Sequence, residues 1–219
     1  MSDFETANHP DPFVVLFKLG SESHMLELLH NGHLYLNTLE HFKKLDDASS
    51  RSDRDEATGY YWQMHGGTFE VQQDEDWHPL GTLVGGLRVH DNELQAANVY
   101  CLHARRRSHC EEPWSLETLD FGDTFVLFTN PAEFLRRLRD AAARAGHEAR
   151  YGAIEYVDRL TYHGHMGAFR KFREHAHQSE FRVLLRPGIG RPLSLHLGSL
   201  TDIAVLGPSS KRLKHRPPS

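Results

Sequence analysis

Apolar residues along this chain fall into short runs of two different periods. "FVVLFKL" (13–19) is an almost unbroken β-branched and aromatic run, the mark of a buried strand. "SESHMLELLHNG" (21–32) changes to helical spacing, with Met25, Leu28 and Leu29 on one face. Ser21 is placed to cap that helix and Gly32, after Asn31, to stop it. "HLYLNT" (33–38) returns to period two, Leu34 and Leu36 alternating with Tyr35 and Asn37. A short amphipathic piece, "LEHFKKL" (39–45), then leads into a charged stretch.

In the middle, "TFEVQQ" (68–73), "TLVGGLRVH" (82–90) and "ANVYCLH" (97–103) read as weaker strands, and "DTFVLFT" (123–129) as a stronger one. "NPAEFLRRLRDAAARAG" (130–146) carries the fullest helix signature. Asn130 caps, Pro131 takes the first helical position, Glu133 completes a capping box and Gly146 ends the helix. Its apolar face is Phe134, Leu135 and Leu138. "YGAIEYVD" (151–158) predicts a strand, and "MGAFRKFREHAHQ" (166–178) a helix with Phe169, Phe172 and Ala176 inward. "EFRVLLR" (180–186), "LSLHL" (193–197) and "DIAVLG" (202–207) complete the strands. Most strands follow one another without a crossover helix, which argues against a doubly wound parallel sheet. The expectation is one α+β domain over 1–207, a mainly antiparallel sheet with three or four flanking helices. The basic tail 208–219 is expected to be disordered.

Composition agrees with a globular domain: of 219 residues, 39% are hydrophobic and 25% charged, enough apolar surface for a real core. The run "FVVLF" is far too short to span a bilayer, and "MSDFETANHPDP" lacks the basic and apolar regions of a signal peptide. Two cysteines, Cys101 and Cys110, argue against a disulfide scaffold. A soluble, cytoplasmic protein with no membrane partner is expected; no feature bears on its oligomeric state. The net charge of −5 disfavours indiscriminate binding to a phosphate backbone. Local positive patches, "ARRR" (104–107), "FRKFR" (169–173) and "KRLKHR" (211–216), still leave room for an anionic ligand such as a nucleotide or a nucleic-acid end.

Common catalytic signatures are missing. There is no dinucleotide fingerprint, P-loop, nucleophile elbow or CxxC pair. Metal-ligating residue types do cluster, at Cys101, His103, His109 and Cys110, at His163 and His165, and at His175 and His177. Spacing of two shares a face on a strand but not on a helix, which weakens the last pair. Metal-dependent hydrolysis through Asp53, Asp55 and Glu56 is a third-ranked reading, and no permanently bound cofactor is expected. The stretch "RSDRDEATGY" (51–60) packs three acids and two arginines between Arg51 and Glu56, followed by Tyr60 and Tyr61. It is either a solvated loop or one wall of a site. In "SEFRVLL", Glu180 and Arg182 share one face of a strand. That pair is either an exposed charge pair or a carboxylate at a cleft, held by its arginine, able to orient a ribose hydroxyl or accept a proton.

The order of these elements resembles a broad family of prokaryotic and phage proteins of unassigned function. The resemblance runs over about residues 13–186. It is carried by "LFKL", "HNGHLYLNTLEHF", the acidic segment, "VYCLH" and the closing lysine-bearing segment with "QSEFRVLL". That family in turn resembles the ADP-ribosyltransferase fold, a split antiparallel sheet holding a nicotinamide dinucleotide in its cleft. The resemblance implies NAD or a related dinucleotide as substrate and Glu180 as the catalytic carboxylate. Lys18 would be the first-strand residue, where a His or Arg is usual, and Asn37 the second-strand polar residue. Asp53 and Glu56, with Arg51 or Arg54, would border the cleft. Lys18 and Arg182 would hold phosphate or ribose oxygens, and Tyr35 or Tyr60 would stack on a ring. The acceptor would be nucleic acid, protein or water, with a role in conflict between bacteria and phages. The alternative is a non-catalytic module of the same fold that binds a nucleotide, a nucleic acid or a protein.

Overall fold

The computed structural model of the protein describes residues 13–44, 53–63, 67–82, 85–109 and 121–208. It is α+β, with mostly antiparallel sheets and few helices. The first strand, β1 (Phe13–Gly20), leads into α1 (Glu22–Asn31), β2 (His33–Thr38) and the short α2 (Leu39–Lys43). Next come β3 (Thr58–Gln63), a hairpin of β4 (Thr68–Gln73) and β5 (Asp76–Thr82), β6 (Gly86–His90) and α3 (Asn92–Ala96). The central strand β7 (Asn98–Arg106) is followed by β8 (Thr124–Phe128), α4 (Pro131–Arg144), β9 (Glu148–Ala153) and β10 (Glu155–Val157). The chain then runs through β11 (Gly164–His165), β12 (Arg170–Phe172), β13 (Glu180–Arg186), β14 (Leu193–His196) and β15 (Ala204–Pro208). No helix among the described residues is long and apolar enough to cross a membrane.

The main sheet has eight strands and is organised around β7. On one edge β7 pairs with β13, from Glu180↔His103 to Leu185↔Asn98. Its other edge is shared. β1 takes one end, with Phe17↔His103 as the last pair, and β2 takes the other, with Asn37↔Val99. Tyr100, Cys101 and Leu102 lie between those two pairings, and there β1 and β2 part. Past Phe17, β1 continues only against β8, and β2 continues against β14. The sheet is therefore split along this edge, and α1 bridges the split.

One face of this sheet carries the apolar core. Leu16, Leu34, Val126, Phe181 and Val183 meet Met25 and Leu28 of α1 and Phe134 and Leu138 of α4, all buried. Phe128 stacks on Phe134 at 3.9 Å between ring centroids. On the opposite face Val99 and Leu184 meet Leu39, Ala57, Leu94 and Ala168, supplied by the segments between the strands. Because β13 is covered on both faces, the alternation in "EFRVLLR" separates two interiors: Phe181, Val183 and Leu185 face α1 and α4, and Glu180, Arg182 and Leu184 face the other side.

Several expectations change. Residues 166–178 form no α-helix; they run through a 3-10 turn (Gly167–Phe169), β12 and a second 3-10 segment (Arg173–Gln178). Strand β12 pairs parallel with β10, and both Lys171 and Phe172 are buried, an adjacency that an extended segment between two interiors accommodates and a surface helix does not. Residues 151–158 are divided between β9 and β10, which belong to different sheets, and 82–90 between β5 and β6. Ser21 makes no side-chain cap; its hydroxyl meets Ser23 and His24. Asn130 does cap α4 through Glu133 N at 3.1 Å, but Glu133 is drawn to Arg136 and Arg137 and Asn130 N bonds Ile203 O, so the reciprocal box does not form. Pro208 closes β15, and the rest of the basic tail lies outside the described residues.

Candidate functional site

The split in the sheet opens a cavity of about 720 Å³. Its walls are the diverging ends of β1 and β2 (Lys18, Tyr35, Asn37), its end is α1, and its floor is β7 with Glu180 and Arg182 of β13 behind. The parting of two strands leaves part of the β7 edge without a strand partner, and Lys18 compensates. Its ammonium donates to Cys101 O at 2.6 Å and lies 4.7 Å from the Tyr100 ring centroid.

At the floor the chain buries a set of charges. Arg182, 1% exposed, donates through Nε to Glu180 Oε1 at 2.6 Å. Its Nη2 and Nη1 make a two-pronged contact to Glu56 at 2.5 and 3.1 Å, and Nη1 also reaches Ala168 O at 2.7 Å. Lys171 of β12 is the second hub, at 2.9 Å from Glu180 Oε2, 3.0 Å from Glu56 and 3.6 Å from Asp53, and it donates to Gln178 Oε1 at 2.8 Å. His175 Nε2 stands 3.4 Å from Asp53 Oδ1. Three carboxylates thus surround two cations, with a histidine at the rim of the cluster. Burial at this depth is tolerated only because each ion has an opposite partner.

These contacts set the protonation states. Burial works against the Glu180 carboxylate, but the Arg182 and Lys171 charges outweigh it and hold Glu180 well below the usual carboxylate range. Asp53 is likewise held low: burial opposes ionisation, while the His175 hydrogen bond and the Lys171 charge more than offset it. Burial together with the Glu180 charge pushes the Cys101 thiol up to about 12. Cys101 is therefore a neutral thiol, not a nucleophile, at physiological pH.

The expected residues divide into four groups. Lys18, Tyr35, Asn37, Glu56, Glu180 and Arg182 all line the cavity. Asp53 is brought to the same cluster one layer behind, through Lys171 and His175. Tyr60 does not line the cavity; it packs edge-on against Trp62 and His163 in the small sheet of β3. Arg51 lies outside the described residues. The pair Glu180–Arg182 is buried, so it is not an exposed charge pair. The acidic stretch is not simply a solvated loop either: Asp53, Asp55 and Glu56 are buried while Arg54 is exposed. Asp55 is held by Arg88 at 2.5 Å and Arg159 at 2.6 Å. Among the described residues no group of three His, Cys, Asp or Glu side chains is arranged to hold a metal.

Sequence reasoning missed Lys171, His103 and Gln178. In the sequence Lys171 is the lysine of a basic segment with helical spacing, and nothing local marks it as a buried hub. His103 was considered only as a metal ligand; it lines the cavity, 6% exposed, with Nδ1 2.8 Å from Gln178 O. Its register opposite Glu180 was available only once β13 was known to pair with β7. Compared with known proteins, the chain matches no family model, no curated protein and no solved structure.

Proposed function

We propose that the cleft binds a nucleotide, NAD or a related dinucleotide, and that the protein is an enzyme of the ADP-ribosyltransferase type. The observation that carries this reading is the Glu180 carboxylate: it lies at the floor of a cavity opened by a split antiparallel sheet and is kept ionised by Arg182 and Lys171. Cleaving the nicotinamide–ribose bond leaves positive charge on the ribose carbon. A fixed carboxylate beside that carbon stabilises the charge as it develops and accepts a hydrogen bond from a ribose hydroxyl. A low proton affinity suits this role, since the anion must persist without being protonated. The cavity volume is within the range of small-molecule sites, and Tyr35, Phe42 and Phe121 offer ring surfaces to a base or nicotinamide.

A specific observation favours a second reading. Both oxygens of Glu180 already meet a cation, as in a structural ion-pair cluster, which fits a module that binds a nucleotide, nucleic acid or protein without turnover. Nicotinamide release from NAD separates the two. Wild type is expected to release nicotinamide, and Glu180→Gln to lose about 10²–10³-fold in kcat while still binding NAD. Equal turnover in the two proteins takes Glu180 out of the chemistry, and none in either with cell extract as acceptor overturns the enzymatic reading.

A further inference from the structure

The small sheet of β3 and β6 sends out an arm. Its two strands leave that sheet as a pair at Gln63↔Gly86 and pair again at Thr68↔Thr82, in the hairpin β4–β5. Every residue of β4 and β5 is exposed, and none of them lines the cavity. Solvent on both faces calls for polar side chains, yet the hairpin exposes Phe69, Val71, Trp77 and Leu80, the last two at 62% and 70%. Its charge is of one sign. From Gln63 to Leu87 the sequence holds four acids, Glu70, Asp74, Glu75 and Asp76, and no Lys or Arg. None of the four has an ion-pair partner among the described residues.

The two edges of the hairpin differ. Strand β5 is blunted in the ways that protect a free edge: Pro79 lacks a donor, and the register shift opposite Phe69 and Glu70 leaves Leu80 as an extra residue. Strand β4 contains neither Pro nor Lys, and β5 is its one neighbour among the described residues. Its six residues offer about 20 Å of open edge.

We propose that the β4 edge is a docking site for a partner protein, which adds to the hairpin an extended segment of alternating cationic and apolar residues. The alternation follows from "FEVQ" (69–72): Phe69 and Val71 face one side of the hairpin, Glu70 and Gln72 the other. A strand laid beside β4 therefore sets apolar residues next to Phe69 and Val71 and a Lys or Arg next to Glu70. Trp77, paired with Gln72, shares the Glu70 side, where its ring adds a cation–π surface. The acids of the turn and of Asp76 extend the attraction. Charge also decides between occupants. A nucleic acid would bring phosphates up to four carboxylates, and a second copy would set four carboxylates against four, so both are repelled.

The test is the fluorescence anisotropy of labelled peptides of about eight residues, added to the full chain at low salt. A peptide of alternating Lys and Val is expected to bind. One of alternating Lys and Ser should bind about tenfold more weakly, and one of alternating Glu and Val not at all. Glu70→Lys, and Phe69→Thr combined with Val71→Thr, alter exposed positions and should leave the urea midpoint unchanged. Each should weaken binding of the Lys–Val peptide about tenfold. Equal binding by wild type and both variants, no preference for Val over Ser, or no binding by wild type overturns the proposal. A labelled single-stranded oligonucleotide bound through the same residues overturns it too. So does a dimer in sedimentation that the Phe69 and Val71 variant breaks while wild type ignores the peptide.

Discussion

Arg182 shows what a single residue does in this fold. Its guanidinium joins β13 to the acidic stretch 53–56 and to the backbone of Ala168, so three segments distant in sequence meet at one side chain. Arg182→Ala leaves Glu56 and Glu180 buried with Lys171 alone, and a loss of about 3–5 kcal/mol is expected in urea unfolding. The same cluster sets an acid limit on stability. Glu180 and Asp53 hold their protons less tightly in the folded chain than the unfolded carboxylates, which titrate near pH 4. The unfolded state therefore binds more protons, and stability rises with pH through the acid range. The contribution is complete above roughly pH 5 and lost as the pH falls below the unfolded values. Melting temperatures measured from pH 6 down to 3 should drop, with a shallower drop in Glu180→Gln; parallel curves for the two proteins rule this account out.

Among the elements, α1 decides the shape of the cleft because it bridges the strands that part. It ends at Gly32, whose φ of +57° reverses the chain into β2 and whose missing Cβ leaves room for Gly198 O, which a Cβ would meet at 2.2 Å. Gly32→Ala is expected to destabilise by about 1–3 kcal/mol and to weaken the nucleotide binding proposed for the cleft by shifting α1, which calorimetry can check. The cap of α4 is a more local matter. Asn130→Ala should cost about 1 kcal/mol in thermal unfolding and leave the cleft untouched. Residues 166–178 show an element decided by its surroundings. The apolar spacing of Phe169 and Phe172 suits a helix, but pairing with β10 and the carboxylates around Lys171 hold its centre, residues 170–172, extended between two 3-10 segments.

For the whole molecule, the site and the fold are one feature. The cavity exists because β7 shares one edge between two strands, and the charges at its floor sit on the face opposite the core formed with α1 and α4. The hairpin β4–β5 stands apart from this arrangement, with every residue exposed. A two-stranded hairpin alone is marginally stable. Replacing it with a short turn should therefore leave both the unfolding midpoint and the nucleotide binding proposed for the cleft unchanged; a lowered midpoint means that it braces the sheet.

The sequence by itself determined most strands, α1 and α4, and the mixed antiparallel class, because period-two and period-3.6 apolar patterns are local consequences of which face is buried. It also singled out Glu180, Arg182 and the acidic stretch from the residues themselves, whereas Lys18 and Asn37 entered only through the family resemblance. Tertiary structure alone decided that these charges are buried and paired. Lys171 looks like a surface lysine until three carboxylates from two distant segments surround it. His103 looks like one histidine of many until β13 sets Glu180 opposite it. Burial and pairing depend on contacts between residues far apart in the chain, and no local pattern encodes which distant partner will arrive.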